Sequence, residues 1–418
     1  MSKALGMRCV WGLCGVLVSV LALASVARAE VSTDVSGSVL VFPKVIWTGN
    51  ASDAVPASDR DTVIEISNTS NNLVHARCFY IDGRPDFFGV PVWQITDFQI
   101  WLTRQQPTHW VASQGRAVNP TDEFGSDGNG LDPGAIPPVP AGFQGELKCI
   151  QVDASGTPFG GNNLKGEAVI RSADGDVSKH NAIAILANPE LAGADPANEL
   201  RLDNSVNNFG EYNACPNTTL LDHFTDGAND TVVEEHNNVW CADDECPIRT
   251  YLTLVPCSQD LENAQPESVT VQFAIVNELE EIFSASTTVQ CWKTFRLADV
   301  DAPAGRCTVS GDACTTDDQC IEDDAGFCSK QSVFSLGRIG TSTAFTRITP
   351  VDLDGGVVTV AEQVNYNNLR VDSTQISNRT WSAWNPQAIG NRYDATDPAQ
   401  GGPPGGPVVD IITLSDLF

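Results

Sequence analysis

The sequence predicts an all-β protein: two related β-sandwich domains, Ig-like or jelly-roll-like, with a disulfide-rich insert and long loops. Three observations predict it. Helical periodicity is scarce, while period-two and short apolar runs dominate, separated by Gly, Pro, Asn and Asp clusters. A strand pattern near the start recurs in the second half. Cysteines are numerous and spaced for cross-linking.

The strands expected in the first half are 39–47, 62–67, 73–81, 98–102, 145–152, 166–171 and 181–187. In the second half they are 250–255, 269–276, 287–297, 333–336 and 357–363. Val269, Val271, Phe273 and Ile275 alternate with Thr270, Gln272 and Ala274, the mark of a strand with one buried face. Leu40-Val41-Phe42-Pro43 matches Thr253-Leu254-Val255-Pro256. Thr62, Ile64, Ile66 and Asn68 match Val271, Phe273, Ile275 and Asn277. Ala76, Cys78 and Phe79 match Val289, Cys291 and Trp292. Order and strand phase are kept while loop lengths drift, so an internal duplication is expected. The first sandwich is placed at 30–200 and the second at 250–418. Between them, 201–249 is expected to be an irregular connector carrying Cys215, Cys241 and Cys246. The Pro- and Gly-rich loop 119–142 and the tail 394–407 lack core-forming residues and are expected to be exposed.

The first 29 residues have the three parts of a secretory signal peptide. Lys3 and Arg8 are followed by an apolar run at 16–24 and then by Ala27-Arg28-Ala29, with cleavage expected before Glu30. The run is short of the roughly 20 residues that span a bilayer, and no transmembrane segment is expected in the mature chain. Export would place the protein in the periplasm, at the cell surface or outside the cell. Loss of Lys3, Arg8 and Arg28 leaves 21 basic against 53 acidic residues, a net charge of −32. Nucleic acid and anionic membranes are poor partners for such a chain. Solubility accounts for the acidity.

In an oxidising compartment the eleven remaining cysteines read first as disulfides. Strand phase suggests Cys78 with Cys149 and Cys257 with Cys291, while Cys241 and Cys246 form a local structural pair. An odd count leaves one unpaired if all partners are internal. Cys307, Cys314, Cys320 and Cys328 bracket a segment, 307–328, that is small, polar and acidic. It needs cross-links or a metal to hold a shape. Its spacings of six, five and seven disfavour zinc, so two internal disulfides are expected, of unspecified connectivity. With its C-x-x-D-x-x-C core at Cys314 to Cys320, the segment resembles small cysteine-rich repeats in secreted proteins of environmental bacteria. The whole chain resembles secreted bacterial β-sandwich proteins with such an insert. Neither resemblance implies an activity.

No catalytic residue or cofactor site is expected. G-x-S-x-G, H-E-x-x-H and Gly-rich phosphate loops are all missing from the sequence. His75, beside Arg77 and opposite Cys78 in phase, reads as a surface residue. Asp222, His223, Asp226, Asp230, Glu234, Glu235 and His236 could gather a metal, but their spacing matches no known ligand pattern and an exposed loop is the simpler reading. Calcium is the more credible ion. Asp127, Asn129 and Asp132, Asp174 and Asp176, and Asp352 and Asp354 offer oxygens at alternating positions, though ordinary turns are the default reading of each. Trp381 and Trp384 could stack on sugar rings or fill a core. The expected function is therefore a non-enzymatic structural or interaction protein with an unidentified protein or glycan partner, oligomerisation being open. The alternatives are a carbohydrate- or calcium-binding module and a secreted hydrolase with a site assembled from distant residues.

Overall fold

The computed structural model describes residues 31–32, 35–49, 60–87, 90–117, 133–173, 175–187, 199–201, 204–205, 208–209, 216–228, 247–256, 268–351, 356–371, 374–391 and 410–413. The chain is nearly all antiparallel β-structure.

The first half contributes β1 (Val31–Ser32), β2 (Val39–Trp47), β3 (Arg60–Asn68), β4 (Val74–Asp82), β5 (Gln94–Leu102), β6 (Pro107–Val111), β7 (Phe143–Val152), β8 (Leu164–Ser172), β9 (Val177–Asn181) and β10 (Ile183–Ile185). They form one continuous hydrogen-bonded sheet in the order β5-β4-β7-β2-β3-β8-β9, with β10 and β1 continuing from β2, and β6 lying beside β3. A single pair, Trp47 with Asp61, joins β2 to β3. The sheet folds over at that point into two layers around Phe42, Ile64, Tyr80, Phe98, Trp110 and Leu147. In β3, Thr62, Ile64 and Ile66 point inward while Glu65 is exposed. Cys78 and Cys149 are directly opposed across β4 and β7 and form the expected disulfide inside this core.

Three short strands follow in sequence, β11 (Glu199–Arg201), β12 (Asn204–Ser205) and β13 (Asn208–Phe209), with β12 paired to β13 and β11 to a late strand. The second half contributes β14 (Pro216–Phe224), β15 (Ile248–Pro256), β16 (Ser268–Asn277), β17 (Ile282–Gln290) and β18 (Lys293–Arg296). After the insert come β22 (Thr343–Pro350), β23 (Val357–Val371), β24 (Thr374–Trp384), β25 (Gln387–Asn391) and β26 (Asp410–Thr413), the last pairing with β11. An inner sheet, β18-β15-β23-β24, packs on an outer sheet, β17-β16-β22-β14-β25, around Leu252, Leu254, Phe273, Ile275, Phe334 and Ile348. β14 lies in the stretch 201–249 read as irregular, yet it is an internal strand of the outer sheet. The stretch 287–297 is not one strand: Cys291, at φ 62°, turns the chain from β17 into β18. At 333–336 a turn leads into a short helix instead of a strand.

The insert holds β19 (Gly305–Cys307), β20 (Ala313–Cys314), helix α1 (Asp317–Glu322) and β21 (Cys328–Ser329), followed by helix α2 (Leu336–Ile339). Disulfides Cys307–Cys320 and Cys314–Cys328 supply its core. It is docked by charge. Asp317, at the start of α1, accepts from Arg249 Nε at 3.1 Å and lies 3.3 Å from Arg296 Nη1. Arg296 also pairs with Asp226. Burial pushes the Asp317 carboxyl up, but the two guanidinium groups outweigh it and hold it below the usual carboxylate range. Phe327 packs on Val364 and Tyr366 beside it.

In the structure the first two matched segments of each half fall on strands. β2 and β15 lie in the sheets that meet each other, and β3 and β16 in the outer ones. Asn68 and Asn277 are both buried at the strand end, and each accepts a backbone N–H from the residue two ahead. The third pair parts company. The turn 278–280, with Glu280 at φ 64°, returns the chain as a hairpin, so β17 stays on β16. The longer turn 69–73 lets β4 cross to the opposite layer, between β5 and β7. Strand order therefore differs beyond this point, and the two halves do not share the common topology that a duplication would give.

The two halves meet across a third core. β2, β4 and β7 are buried along nearly their whole length, because their outward face is covered by the second half. Val39, Val41, Phe79, Ile81, Ile150 and Ile183 pack against Val255, Cys291, Trp292 and Val358. Trp292 Nε1 donates to the Pro43 carbonyl at 2.7 Å. A Cβ on Gly83 would sit 2.3 Å from the Cβ of Trp292, so only glycine allows this approach. A bulge at Pro43-Lys44 breaks the β2–β7 register and aims Lys44 at the second half. There Lys44 donates to Glu362, Arg60 pairs with the same carboxylate at 2.6 Å, and Arg60 stacks over Trp381 at 3.9 Å. Burial alone would raise the Glu362 carboxyl, but Lys44 and Arg60 hold it down at about 2.

His75 lies on this covered side of β4 and is buried, not exposed. It stacks on Trp101 at 3.7 Å and bonds Gln99 and the Asp153 carbonyl.

Glu362→Gln leaves Lys44 and Arg60 buried without their countercharge and should cost about 3–5 kcal/mol in thermal or urea unfolding. Replacing Lys44 and Arg60 by Met and Glu362 by Leu together, which removes all three charges, should restore most of that loss. A single mutant as stable as wild type would show the triad to be neutral.

Candidate functional site

A pocket of about 580 Å³ opens on the flank of the second sandwich. Its position follows from strand pairing. β25 begins opposite Leu220, where the chain arrives from β24 of the inner sheet, and pairs with β14 from there to Pro216. The stretch 221–224 of β14 is left with an open edge, and the pocket lies along it. Asp222, His223 and Phe224 come from that edge, and Val276, Asn277 and Glu278 from the end of β16. Thr343, Ala344 and Phe345 come from the start of β22, Gln363 from β23, and Ser382 and Trp384 from β24. The volume is that of ordinary small-molecule sites.

Successive residues of a strand face opposite sides, which decides what each group can do. Asp222 is exposed at the rim, while His223 turns into the core. The Nδ1 of His223 faces the Phe224 carbonyl at 3.0 Å, and its Nε2 faces Thr346 Oγ1 at 2.8 Å. A carbonyl only accepts, so Nδ1 carries the proton and Nε2 accepts from the Thr346 hydroxyl. Burial holds the imidazole down at about 4. The ring is therefore neutral at pH 7, with both nitrogens committed to the fold. Glu278 Oε1 accepts from Thr343 Oγ1 at 2.5 Å. Phe345, 37% exposed, and Trp384 supply apolar surface beside these carboxyl groups, and Gln363, Ser382 and Thr343 add amide and hydroxyl groups.

The residues singled out in the sequence separate in space. Asp222 and His223 point apart, and Asp226 is taken up by Arg296. Asp230, Glu234, Glu235 and His236 lie outside the described residues. So do the calcium candidates Asp127, Asn129, Asp132, Asp174, Asp352 and Asp354, and the cysteines Cys215, Cys241, Cys246 and Cys257. Asp176 accepts the Trp381 backbone N–H. Among the described residues the one group of metal-type side chains is Cys307, Cys314 and Cys320, whose sulfurs are held in the two disulfides of the insert. Cys291 is a buried thiol in the core between the halves, so the expected Cys257–Cys291 bridge is not formed. The turn at Cys291 points it toward Glu146 and Lys148 of β7, and burial pushes its thiol pKa up. Trp381 and Trp384, three apart on β24, are divided: Trp381 lies under Arg60, and Trp384 lines the pocket.

Glu278, Thr343, Phe345 and Gln363 were not foreseen. The alternation of Ala344, Thr346 and Ile348 with Thr343, Phe345 and Arg347 carries the β22 signal, masked by hydroxyls on both faces. No helix among the described residues is long and apolar enough to cross a membrane.

His223 gives a pH signature. Its pKa is lower folded than unfolded, so the unfolded chain takes up more protons between pH 6.5 and 4. Stability should be complete above pH 6.5 and fall by about 3 kcal/mol toward pH 4 from this residue. Urea midpoints across that range should flatten in His223→Gln relative to wild type. Parallel curves would exclude His223 as the source.

No protein-family model matches the chain, and no curated protein matches it.

Proposed function

We propose that this chain is an exported, non-enzymatic interaction protein in which two joined β-sandwiches present a ligand-contact surface on the flank of the second. The observation that carries this reading is the composition of the flank pocket. It has aromatic and carboxyl groups suited to contact, while its one imidazole is withdrawn into the fold. Export is supported by the pattern from Lys3 to Ala29 and by three disulfides. Turnover of any substrate in a panel of glycans, esters and peptides, lost in Asp222→Asn or Glu278→Gln, would overturn the reading.

A second reading is favoured by Trp384 lying with Gln363, Ser382 and Thr343. An aromatic face edged by amide and hydroxyl groups suits a polyhydroxylated ring. If the pocket takes saccharides, a glycan array should give saturable hits, and Trp384→Ala should weaken them about tenfold in calorimetry. Hits unchanged by Trp384→Ala would place saccharide binding elsewhere.

A further inference from the structure

We propose that β17 is a self-association edge, through which two copies of this chain pair antiparallel to join their outer sheets. β17 has the sequence IFSASTTVQ, nine residues without a charge, proline or glycine. Edge strands are usually blunted by such residues, because unpaired backbone groups recruit another strand. Three edges of the first half are blunted in this way: β5 carries Asp97, β9 carries Lys179 and β6 begins with Pro107.

The edge is open and its phase is defined. β17 pairs with β16 alone among the described strands. Asn277 N–H donates to the Glu281 carbonyl at 3.1 Å, which sets the bonded rungs at odd positions of β17. The N–H and C=O groups of Ile282, Ser284, Ser286, Thr288 and Gln290 therefore point away from β16, the Gln290 carbonyl already accepting the Trp292 N–H at 2.7 Å. The side chains of the same five residues are exposed, Ile282 at 75%, and Leu279 at the adjoining turn is 68% exposed.

A second copy is the partner that fits. Pairing about a two-fold axis at Ser286 sets Ser284 opposite Thr288 and Ile282 opposite Gln290. Like charges do not meet across this register, and paired hydroxyls already occur beside it, where Thr270 and Thr288 lie 2.9 Å apart. Elsewhere, a chain of net charge −29 repels its own copy. Salt screens that repulsion without weakening backbone hydrogen bonds, so association should strengthen as ionic strength rises. This inference is independent of the flank pocket and of its ligand.

The mature chain should sediment as a concentration-dependent dimer whose fraction rises with salt. Ser286→Lys places two ammonium groups opposite each other and should weaken the dimer at least about fivefold, with circular dichroism and melting unchanged. Register is read by cross-linking. Ser286→Cys should form a disulfide-linked dimer under mild oxidation, since bonded antiparallel pairs hold Cα atoms about 5.5 Å apart. Ser284→Cys alone should not, but should cross-link when mixed with Thr288→Cys. A monomer at every concentration and salt level overturns the proposal. So does a dimer indifferent to Ser286→Lys, or equal cross-linking of the Ser284→Cys and Ser286→Cys proteins.

Discussion

The structure depends on one constraint: the sheet carrying β2, β4 and β7 is buried on both faces. One face closes the first sandwich around Tyr80 and Leu147, and the other receives Trp292, Val255 and Val358 from the second half. Removing the second half would expose Val39, Val41, Phe79, Ile81 and Ile150 together. Monomeric soluble proteins rarely tolerate an apolar patch of that kind. The halves are thus bound by the ordinary cost of exposing apolar surface.

Charge makes the joint specific. Burying Lys44, Arg60 and Glu362 is expensive, and their mutual attraction offsets the cost only in one geometry. That geometry requires the Pro43-Lys44 bulge on one side and the phase of β23 on the other. The same device docks the insert, where Asp226, Asp317, Arg249 and Arg296 form a second buried group. Two disulfides shape that insert, but its ion pairs position it. The strong surface acidity is separate from both clusters, each of which brings two cations to its carboxylates.

Local pattern revealed what local pattern determines. The β2 boundaries, the alternation of β3 and β16, and the Cys78–Cys149 pairing all follow from strand phase. His75 was misread because what covers a strand's second face lies far away in sequence. A cue was present, since β4 has apolar residues in both phases: Val74, Ala76 and Cys78 on one, Phe79 and Ile81 on the other. Cys291 was misassigned because a left-handed residue, not a strand, sits there and redirects the sulfur. The flank pocket was the least legible part. It exists because β25 joins β14 only at Leu220, arriving from β24, and that crossing depends on the fold of both sheets. Of its lining only Trp384 drew attention as a binding group, and Asp222 and His223 drew it for metal chemistry that the strand geometry divides.

If the doubly covered sheet governs the fold, the two halves cannot unfold separately. Differential scanning calorimetry of the intact chain tests this most directly. The account predicts one transition, with calorimetric and van't Hoff enthalpies equal. Two resolved transitions, or a calorimetric enthalpy well above the van't Hoff value, would contradict it.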